Sequence, residues 1–88
     1  MRLDLFLKAS RLVLRRSVAQ ELCEAGAVLV NGSPAKSSRS VNAGDELTLR
    51  RRRRLLTLRV LAVPAHKQTS RAEAPQLYQI LSDTELAD

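Results

Sequence analysis

Aromatic side chains are nearly absent from this sequence of 88 residues, in which Phe6 and Tyr78 are the only two. A core with so few rings has to be built from Leu, Val and Ala. Proteins that bind single-stranded nucleic acid by stacking need exposed aromatic rings, so that class of binding is disfavoured. A chain this short forms one domain at most and has little room for a deep pocket with a rigid scaffold.

Residues suited to catalysis or metal binding are also scarce. Cys23 is the only cysteine and His66 the only histidine, so an internal disulfide is excluded and no set of Cys and His has metal-site spacing. We interpret Cys23 as a small buried hydrophobic residue. His66 falls in a predicted linker, and the acidic residues fall on a helix surface or at turns. We therefore predict a protein that is not an enzyme, with no catalytic residues, metal or cofactor.

Long apolar runs are missing too. No segment approaches the length of a membrane span. Charges interrupt every turn of the first sixteen residues, which is unlike a secretory signal. We expect a cytoplasmic protein of the bacterial type, and nothing in the sequence requires more than a monomer.

Positive charge is what the sequence has in excess. Fifteen Lys and Arg oppose nine Asp and Glu, which gives a formal net charge of +6. Residues 1–60 carry thirteen of the cations and five of the acids, whereas residues 61–88 carry two and four. A basic body with a mildly acidic tail favours a polyanionic partner. The alternative is charge that only keeps the protein soluble, which does not require five consecutive arginines.

The first residues predict a short amphipathic helix between residues 2 and 9. Its apolar side chains recur at helical spacing and are expected to be buried; they are Leu3, Phe6 and Leu7. Its polar side chains are expected on the surface; they are Arg2, Asp4 and Lys8.

A second helix is predicted to begin at Ser17, because Ser17 and Gln20 have the spacing of a capping box. Gly26 follows the end of this helix, where a left-handed residue is typical. The buried stripe of the helix is expected to consist of Val18, Leu22 and Ala25, with Ala19 and Cys23 beside it.

The rest of the chain predicts a small sheet. Strands are predicted at residues 28–30, 46–49 and 56–60, with turns at residues 31–32 and 43–45. The predicted class is α+β, with two short helices packed on a small, twisted, mainly antiparallel sheet.

The C-terminal part is expected to contribute a short helix. We predict one domain over residues 1–63, followed over residues 64–88 by a linker, a short helix and a loose C-terminus. The helix is predicted at residues 75–81, where Leu77, Tyr78 and Leu81 are apolar.

Five cations surround the two predicted N-terminal helices; they are Arg2, Lys8, Arg11, Arg15 and Arg16. A guanidinium pairs bidentately with phosphate oxygens. Arg15 and Arg16 directly precede the predicted helix start, where backbone N–H groups favour a phosphate but a positive side chain opposes the helix dipole. Two arginines at an unfavourable position indicate a role in binding. The alternative is a solvated basic face.

The run Arg50–Arg54 falls between two predicted strands, at a turn without Gly, Asn or Pro. Such a turn lacks the residues that usually form turns, and its positive side chains repel one another. We therefore expect it to be mobile until it binds an anion. We predict nonspecific phosphate contacts here; the residues are Arg51, Arg52 and Arg53, with Lys36 and Arg39 extending the surface. A nuclear-localisation-like run is the generic alternative.

Several spaced motifs now fall in one order. They are an R-L-D-L-F-L opening, R-R-S-V-A before the second helix, A-G-A-V-L-V-N-G, a Lys after that turn, and G-D-E at a later strand start. In this order they resemble the alpha-L RNA-binding motif, named after ribosomal protein S-four, over about residues 1–63. The arginines at 51–53 depart from the family, whose members commonly have a Gly-containing turn there.

The resemblance implies an RNA-binding domain. Enzymes that carry the motif have catalytic domains too large for this chain, so it looks most like stand-alone members of the RqcP type. The resemblance implies work on large ribosomal subunits blocked by peptidyl-tRNA, in support of C-terminal alanine tailing during ribosome-associated quality control. It further implies that Arg2 and Arg16 touch 23S rRNA and the tRNA, that Asp4 orients the first helix or its arginine neighbours, and that an alanine-tailing factor is a partner.

Three other functions stay open at this point. A heat-shock-type factor of similar build would bind and recycle the same subunits without a role in tailing. A protein-interaction adaptor would dock through the segment that contains Leu77, Tyr78 and Leu81. General coating of nucleic acid would predict equal affinity for duplex DNA and a steep salt dependence.

Overall fold

A computed structural model describes residues 1–66 and 69–86 of the chain. These residues form two α-helices, a single turn of 3-10 helix and five strands. The helices are α1 (Leu3–Ala9) and α2 (Arg16–Glu24), and the 3-10 turn is Ala74–Leu77. The strands are β1 (Val28–Val30), β2 (Ser33–Pro34), β3 (Glu46–Arg51), β4 (Arg54–Val60) and β5 (Tyr78–Glu85).

All five strands belong to one sheet in the order β2-β1-β3-β4-β5, and every neighbouring pair is antiparallel. The helices pack on this sheet around an aliphatic core, as the composition required. Leu3, Phe6 and Leu7 of α1 are completely buried together with Leu47 and Leu58 of the sheet. The predicted α+β class is confirmed. Among the described residues, no helix has both the length and the apolar character to cross a membrane.

The C-terminus of α2 follows its sequence signals. Gly26 adopts φ +73°, and its N–H donates to the carbonyl of Cys23 at 3.0 Å. The N–H of Ala27 donates to the carbonyl of Leu22 at 2.9 Å. These two bonds form a Schellman motif, which needs a left-handed residue after the helix and explains why glycine stands there.

The N-terminus of α2 differs from the prediction. The helix begins at Arg16, with Arg15 as its N-cap, and no side-chain cap hydrogen bond is formed. The predicted capping box is therefore wrong, because Ser17 lies inside the first turn and Gln20 donates to a different partner (Asp4, described below). The predicted buried stripe is also shifted by a fraction of a turn. Ala19 and Cys23 are its buried members, and Ala25 is exposed.

The C-terminal segment needs the largest correction. The predicted helix exists only as the 3-10 turn Ala74–Leu77, and from Tyr78 onward the chain forms β5. β5 pairs with β4 along its length, with a register shift between Thr57 and Leu58. The helix predicted to Leu81 and the loose end predicted after it are thus wrong for residues 78–85, because pairing with β4 outweighs a short apolar spacing. The domain boundary at residue 63 stays a prediction.

Candidate nucleic-acid interface

The carboxylate of Asp4 is the centre of the candidate site. The prediction that Asp4 faces solvent is wrong, because this residue of the first turn of α1 is completely buried. An α-helix turns by about 100° per residue, so Asp4 lies only about 60° from the buried Leu7 around the helix axis. Burial is tolerated because the charge has partners on every side.

Five hydrogen bonds end on the two oxygens of this carboxylate. Arg2 donates from Nε to Oδ1 at 3.2 Å and from Nη2 to Oδ2 at 3.3 Å. Arg16 donates from Nε to Oδ2 at 3.0 Å, and Gln20 donates from Nε2 to the same oxygen at 3.0 Å. The backbone N–H of Leu5 donates to Oδ1 at 2.8 Å. One carboxylate therefore joins the residue before α1, α1 itself and α2.

The two arginines that Asp4 holds are only partly buried. Arg2 has 44% of its side chain exposed and Arg16 has 40%. Each guanidinium is anchored on one side while the rest of it reaches the surface. Arg16 is bound through Nε, and among the described residues neither of its Nη groups has a hydrogen-bond partner. Anchored guanidinium groups with free N–H donors suit bidentate contact with phosphate oxygens.

Two opposing effects set the pKa of Asp4. Burial raises the pKa because it disfavours the charged form, and this effect is the largest single one. Hydrogen bonds from Gln20, Arg16 and Arg2 lower the pKa, as does the positive charge of Arg16, and together they prevail. The pKa of Asp4 therefore lies below its ordinary value, and the carboxylate is ionised in the folded protein near neutral pH.

The loop that follows β2 lies against the N-terminus of α1. The N–H of Leu3 donates to the carbonyl of Arg39 at 2.8 Å, and the N–H of Asp4 donates to the carbonyl of Ser37 at 3.1 Å. These bonds satisfy helix N–H groups that have no partner within α1. They also place two exposed cations, Lys36 and Arg39, in the loop beside Arg2.

The other predicted N-terminal cations lie around the loop between α1 and α2. Lys8 is exposed in the last turn of α1, and Arg15 is exposed at the start of α2. Arg11 has φ +60° and donates from Nη2 to the carbonyl of Thr69 at 3.1 Å. The structure thus brings Arg2 and Arg16 together on Asp4, whereas these three cations are not part of that cluster.

The arginine hairpin, residues 50–54, closes through a two-residue turn. Arg52 and Arg53 form the turn, and Arg52 adopts the left-handed φ of +50° that glycine favours. Arg51 donates from Nη1 to the carbonyl of Leu12 at 3.4 Å, a long bond that leads back to the loop after α1. The chain therefore closes the hairpin without glycine, at the cost of one left-handed arginine.

Gln20 is the member of the site that the sequence did not reveal. It lies sixteen residues after Asp4, and its spacing from Ser17 pointed to a local capping role instead. A nonlocal hydrogen bond of this kind leaves no periodic signal. The burial of Asp4, by contrast, could have been inferred from its position next to Leu7 on the helix.

Comparisons with known proteins identify the family to which this chain is similar. A family model described as the S4 domain matches residues 1–47. The chain is 42% identical over 88 residues to an RQC P-site tRNA stabilizing factor of Bacillus subtilis, with 100% of both chains covered. It is 47% identical over 81 residues to the protein of that name in Halalkalibacterium halodurans, covering 91% of this chain and 89% of the relative. It is also similar to the trimeric structure of heat shock protein 15 of Vibrio cholerae, with a TM-score of 0.85, 35% identity, and coverage of 93% of this chain and 82% of that one.

Proposed function

We propose that this protein is a non-enzymatic RNA-binding factor of ribosome-associated quality control. The chain belongs to the S4 domain family and, within it, to the group of RQC P-site tRNA stabilizing factors. It would bind tRNA and 23S rRNA on large ribosomal subunits that are obstructed by a peptidyl-tRNA. Such a factor works in the cytoplasm, where these subunits are found.

The observation that carries this proposal is the buried carboxylate that anchors two half-exposed arginines. Arg2 and Arg16 are fixed by Asp4 before any ligand arrives, so less side-chain freedom is lost when they bind phosphates. Arginine–phosphate contacts carry no sequence information, and the major groove of A-form RNA is too narrow to read. The protein therefore recognises the shape of a folded RNA, as the junction of rRNA and tRNA requires.

Further cations widen this contact surface. Lys36 and Arg39 lie in the loop beside Arg2, and Arg15 precedes Arg16. We assign these residues, with Lys8 and Arg11, to the outer part of the RNA contact. Their side chains are less constrained, so they add affinity more than position.

The finer part of the proposal is that the bound factor supports C-terminal alanine tailing, with an alanine-tailing factor as a partner. By holding the tRNA in place, a small RNA-binding protein would keep the blocked subunit ready for repeated additions to the nascent chain. The similarity to heat shock protein 15 supports the alternative, a factor that binds the same subunits without a role in tailing. Alanine incorporation on blocked subunits, with and without the protein, separates the two.

The segment through which the adaptor alternative would dock is partly covered by the rest of the protein. Leu77 is 7% exposed, and Tyr78 packs against the core. The carbonyl of Leu77 also accepts hydrogen bonds from the N–H groups of Leu61 and Ala62, at 2.8 Å and 3.3 Å. Of the three apolar residues that would have contacted a partner, Leu77 is buried, Tyr78 is partly buried and Leu81 is exposed.

A sedimentation experiment tests the proposal. Large subunits blocked by peptidyl-tRNA are mixed with wild type, with an Arg2→Ala/Arg16→Ala double variant, or with an Arg59→Ala/Arg71→Ala double variant that loses the same charge at exposed positions elsewhere. We expect wild type and the control variant to co-sediment with the subunits and the Arg2/Arg16 variant to remain in the supernatant.

Removing both arginines leaves a buried carboxylate without its cations, so folding has to be checked by circular dichroism. An Arg2→Lys/Arg16→Lys variant keeps the charges and loses the planar fork. It should bind more weakly than wild type while remaining folded. Co-sedimentation of the folded alanine or lysine variant at the wild-type level would refute the assignment of this surface.

A further inference from the structure

A second surface feature lies between the arginine hairpin and the loop after α1. It is a cleft of about 220 Å³, lined by Leu12, Leu49, Leu56, Arg51, Arg54 and Asp83. Leucines form its floor and charged groups form its rim. Within the described part of the chain, none of these side chains hydrogen-bonds to Asp4, so the cleft is distinct from the site described above.

The strand register explains why leucines and arginines meet here. Opposite residues of β3 and β4 share one face of the sheet, and residues two apart along a strand share it too. The pairs Leu47–Leu58, Leu49–Leu56 and Arg51–Arg54 therefore all lie on the core face. Leu49 is buried in the core and Leu56 is partly buried against it, so the leucine floor continues from the core to the arginines.

We infer that this cleft binds one unpaired nucleotide of the RNA, with the base or ribose on the leucine floor and the adjoining phosphate held by Arg51. The inference rests on the proposed RNA-binding function and adds a second, chemically different contact to it. A volume of about 220 Å³ equals roughly seven water molecules, which is room for a single base.

The rim has the groups that such a ligand needs. Arg54 donates to Asp83 from Nε at 3.2 Å and from Nη2 at 2.8 Å, and this fork fixes the plane of its guanidinium. A guanidinium plane is a surface on which an unstacked base can lie when no aromatic ring is available. The carboxylate of Asp83, whose charge Arg54 balances, can accept hydrogen bonds from the amino or imino groups of a base.

Arg51 is the rim residue that is freest to bind a phosphate. Its side chain is exposed, and Nη1 donates to the carbonyl of Leu12 at 3.4 Å, which is near the limit for a hydrogen bond. A phosphate would be a stronger partner. The neighbouring Arg52 is exposed at the turn and adds positive charge. An acidic peptide could satisfy the charges, but the combination of an apolar floor, a fixed guanidinium plane and a hydrogen-bonding carboxylate matches a nucleotide better.

The cleft also lies within reach of the Asp4 cluster. Leu12, which lines the cleft, precedes Arg16 by four residues, so their Cα atoms are at most about 14 Å apart. One RNA strand can therefore meet the anchored arginines and the cleft together. This places an unpaired nucleotide next to the phosphates that Arg2 and Arg16 contact.

Three synthetic RNA hairpins test the inference. They are identical except at one position, which is fully paired, carries one bulged uridine, or carries one bulged abasic residue that keeps the phosphate and lacks the base. We expect wild type to bind the uridine hairpin about five- to tenfold more tightly than the abasic one, the lower end of what base contacts contribute. Leu12→Ala should remove this preference, and Arg51→Ala should weaken the binding of both bulged hairpins because both keep the phosphate. Leu61→Ala and Arg71→Ala, at exposed positions elsewhere, should change neither.

The outcomes separate the two proposals. If wild type binds the three hairpins equally and binding still depends on Arg2 and Arg16, the cleft inference is overturned and the RNA-binding function stands. If none of the hairpins and no blocked subunit is bound, the proposed function itself fails. Leu12 is partly buried, so the Arg51→Ala variant, which changes an exposed residue, carries the test if Leu12→Ala fails to fold. Crosslinking of 4-thiouridine at the bulge to the peptides around Leu12 or Arg51 would support the inference directly.

Discussion

Replacing Asp4 with Asn tests whether one buried carboxylate organises the RNA-binding surface. The substitution keeps the size and shape of the side chain and removes its charge. Asn has one acceptor oxygen and an NH₂ group, so it cannot accept the bonds that Arg2, Arg16 and Gln20 donate from different directions. At least one donor–donor contact replaces a favourable one.

The expected loss of stability follows from the burial of Asp4 and the exposure of its partners. Removing one member of a fully buried pair costs about 3–5 kcal/mol. Arg2 and Arg16 are 44% and 40% exposed, so water partly replaces the lost carboxylate. We therefore expect the free energy of unfolding to fall by about 2–4 kcal/mol, measured as a shift of the urea midpoint at constant m. A domain of ordinary stability stays folded after such a loss.

For RNA binding by the same variant, two explanations predict changes of affinity in opposite directions. The formal net charge rises from +6 to +7 when one carboxylate is removed, so general attraction to a polyanion predicts tighter binding. Positioning by Asp4 predicts the opposite. Without Asp4 the two arginines become mobile, and immobilising each of them on binding costs about 0.5–1.5 kcal/mol. We therefore expect the affinity for blocked large subunits to fall about tenfold.

Glu21→Gln is the matched control, because Glu21 is exposed on α2 and its replacement gives the same change of charge. It should leave stability within about 0.5 kcal/mol of wild type and affinity unchanged or slightly higher. Asp4→Asn that is as stable as wild type, or that binds RNA as tightly as Glu21→Gln does, would refute the reasoning.

The pH dependence of stability provides a second measurement on wild type and Asp4→Asn. The pKa of Asp4 is below its ordinary value in the folded state, so the unfolded chain binds this proton more readily. The stability that the ionised carboxylate contributes is therefore complete above about pH 4, near the unfolded pKa. It is lost as the pH falls through the folded pKa. The difference in unfolding free energy between wild type and Asp4→Asn should be constant from about pH 7 to pH 5 and shrink below about pH 4.

Three further substitutions or reactions test other parts of the structure. Gly26→Ala forces a Cβ into the left-handed conformation that ends α2, so thermal unfolding should show a loss of about 1–2 kcal/mol; an unchanged melting temperature would contradict the Schellman motif. Arg52→Gly relieves the left-handed φ of +50° in the hairpin turn and should stabilise the fold by about 0.5–1 kcal/mol, while the slope of log K against log salt becomes shallower if Arg52 meets a phosphate. The Cys23 thiol is buried, and burial together with Asp4 raises its pKa, so a thiol reagent should modify it much more slowly in the native state than in urea; equal rates would show that the side of α2 that carries it opens freely.

Local signals accounted for the parts of the fold that depend on neighbouring residues. The turn at Asn31 and Gly32 has both residues at positive φ, +52° and +86°, as the dipeptide predicts. The alternation of Leu47 and Leu49 placed β3 on the sheet, and the apolar spacing of α1 identified its buried leucines. Such elements are determined within a few residues, where steric limits on φ and periodic burial act directly.

Two of the errors come from contacts between distant residues. Gln20 has the spacing of a capping residue, but its side chain donates a hydrogen bond to Asp4, sixteen residues earlier in the chain. β5 is mostly polar and exposed, so nothing in residues 78–85 alone distinguishes a strand from a frayed end. Its pairing with β4 is a property of both segments, and the ion pair of Arg54 with Asp83 adds to it. In each case the competing signal was local and the stronger interaction was not.

The two groups of arginines therefore differ in how much of the binding geometry exists before the RNA arrives. Arg2 and Arg16 are tied to a buried charge, and a change in their direction would break their hydrogen bonds to Asp4. Arg52 is exposed at the end of a hairpin, and no residue in the described part of the chain anchors its side chain. Shape recognition needs charges at fixed separations, because phosphates of a folded RNA are themselves fixed, whereas nonspecific attraction needs only their number. The Asp4 cluster should therefore control which RNA is bound. Removal of charge from the arginine hairpin should lower the affinity for all RNAs by a similar factor, apart from the contact with the nucleotide that enters the leucine cleft.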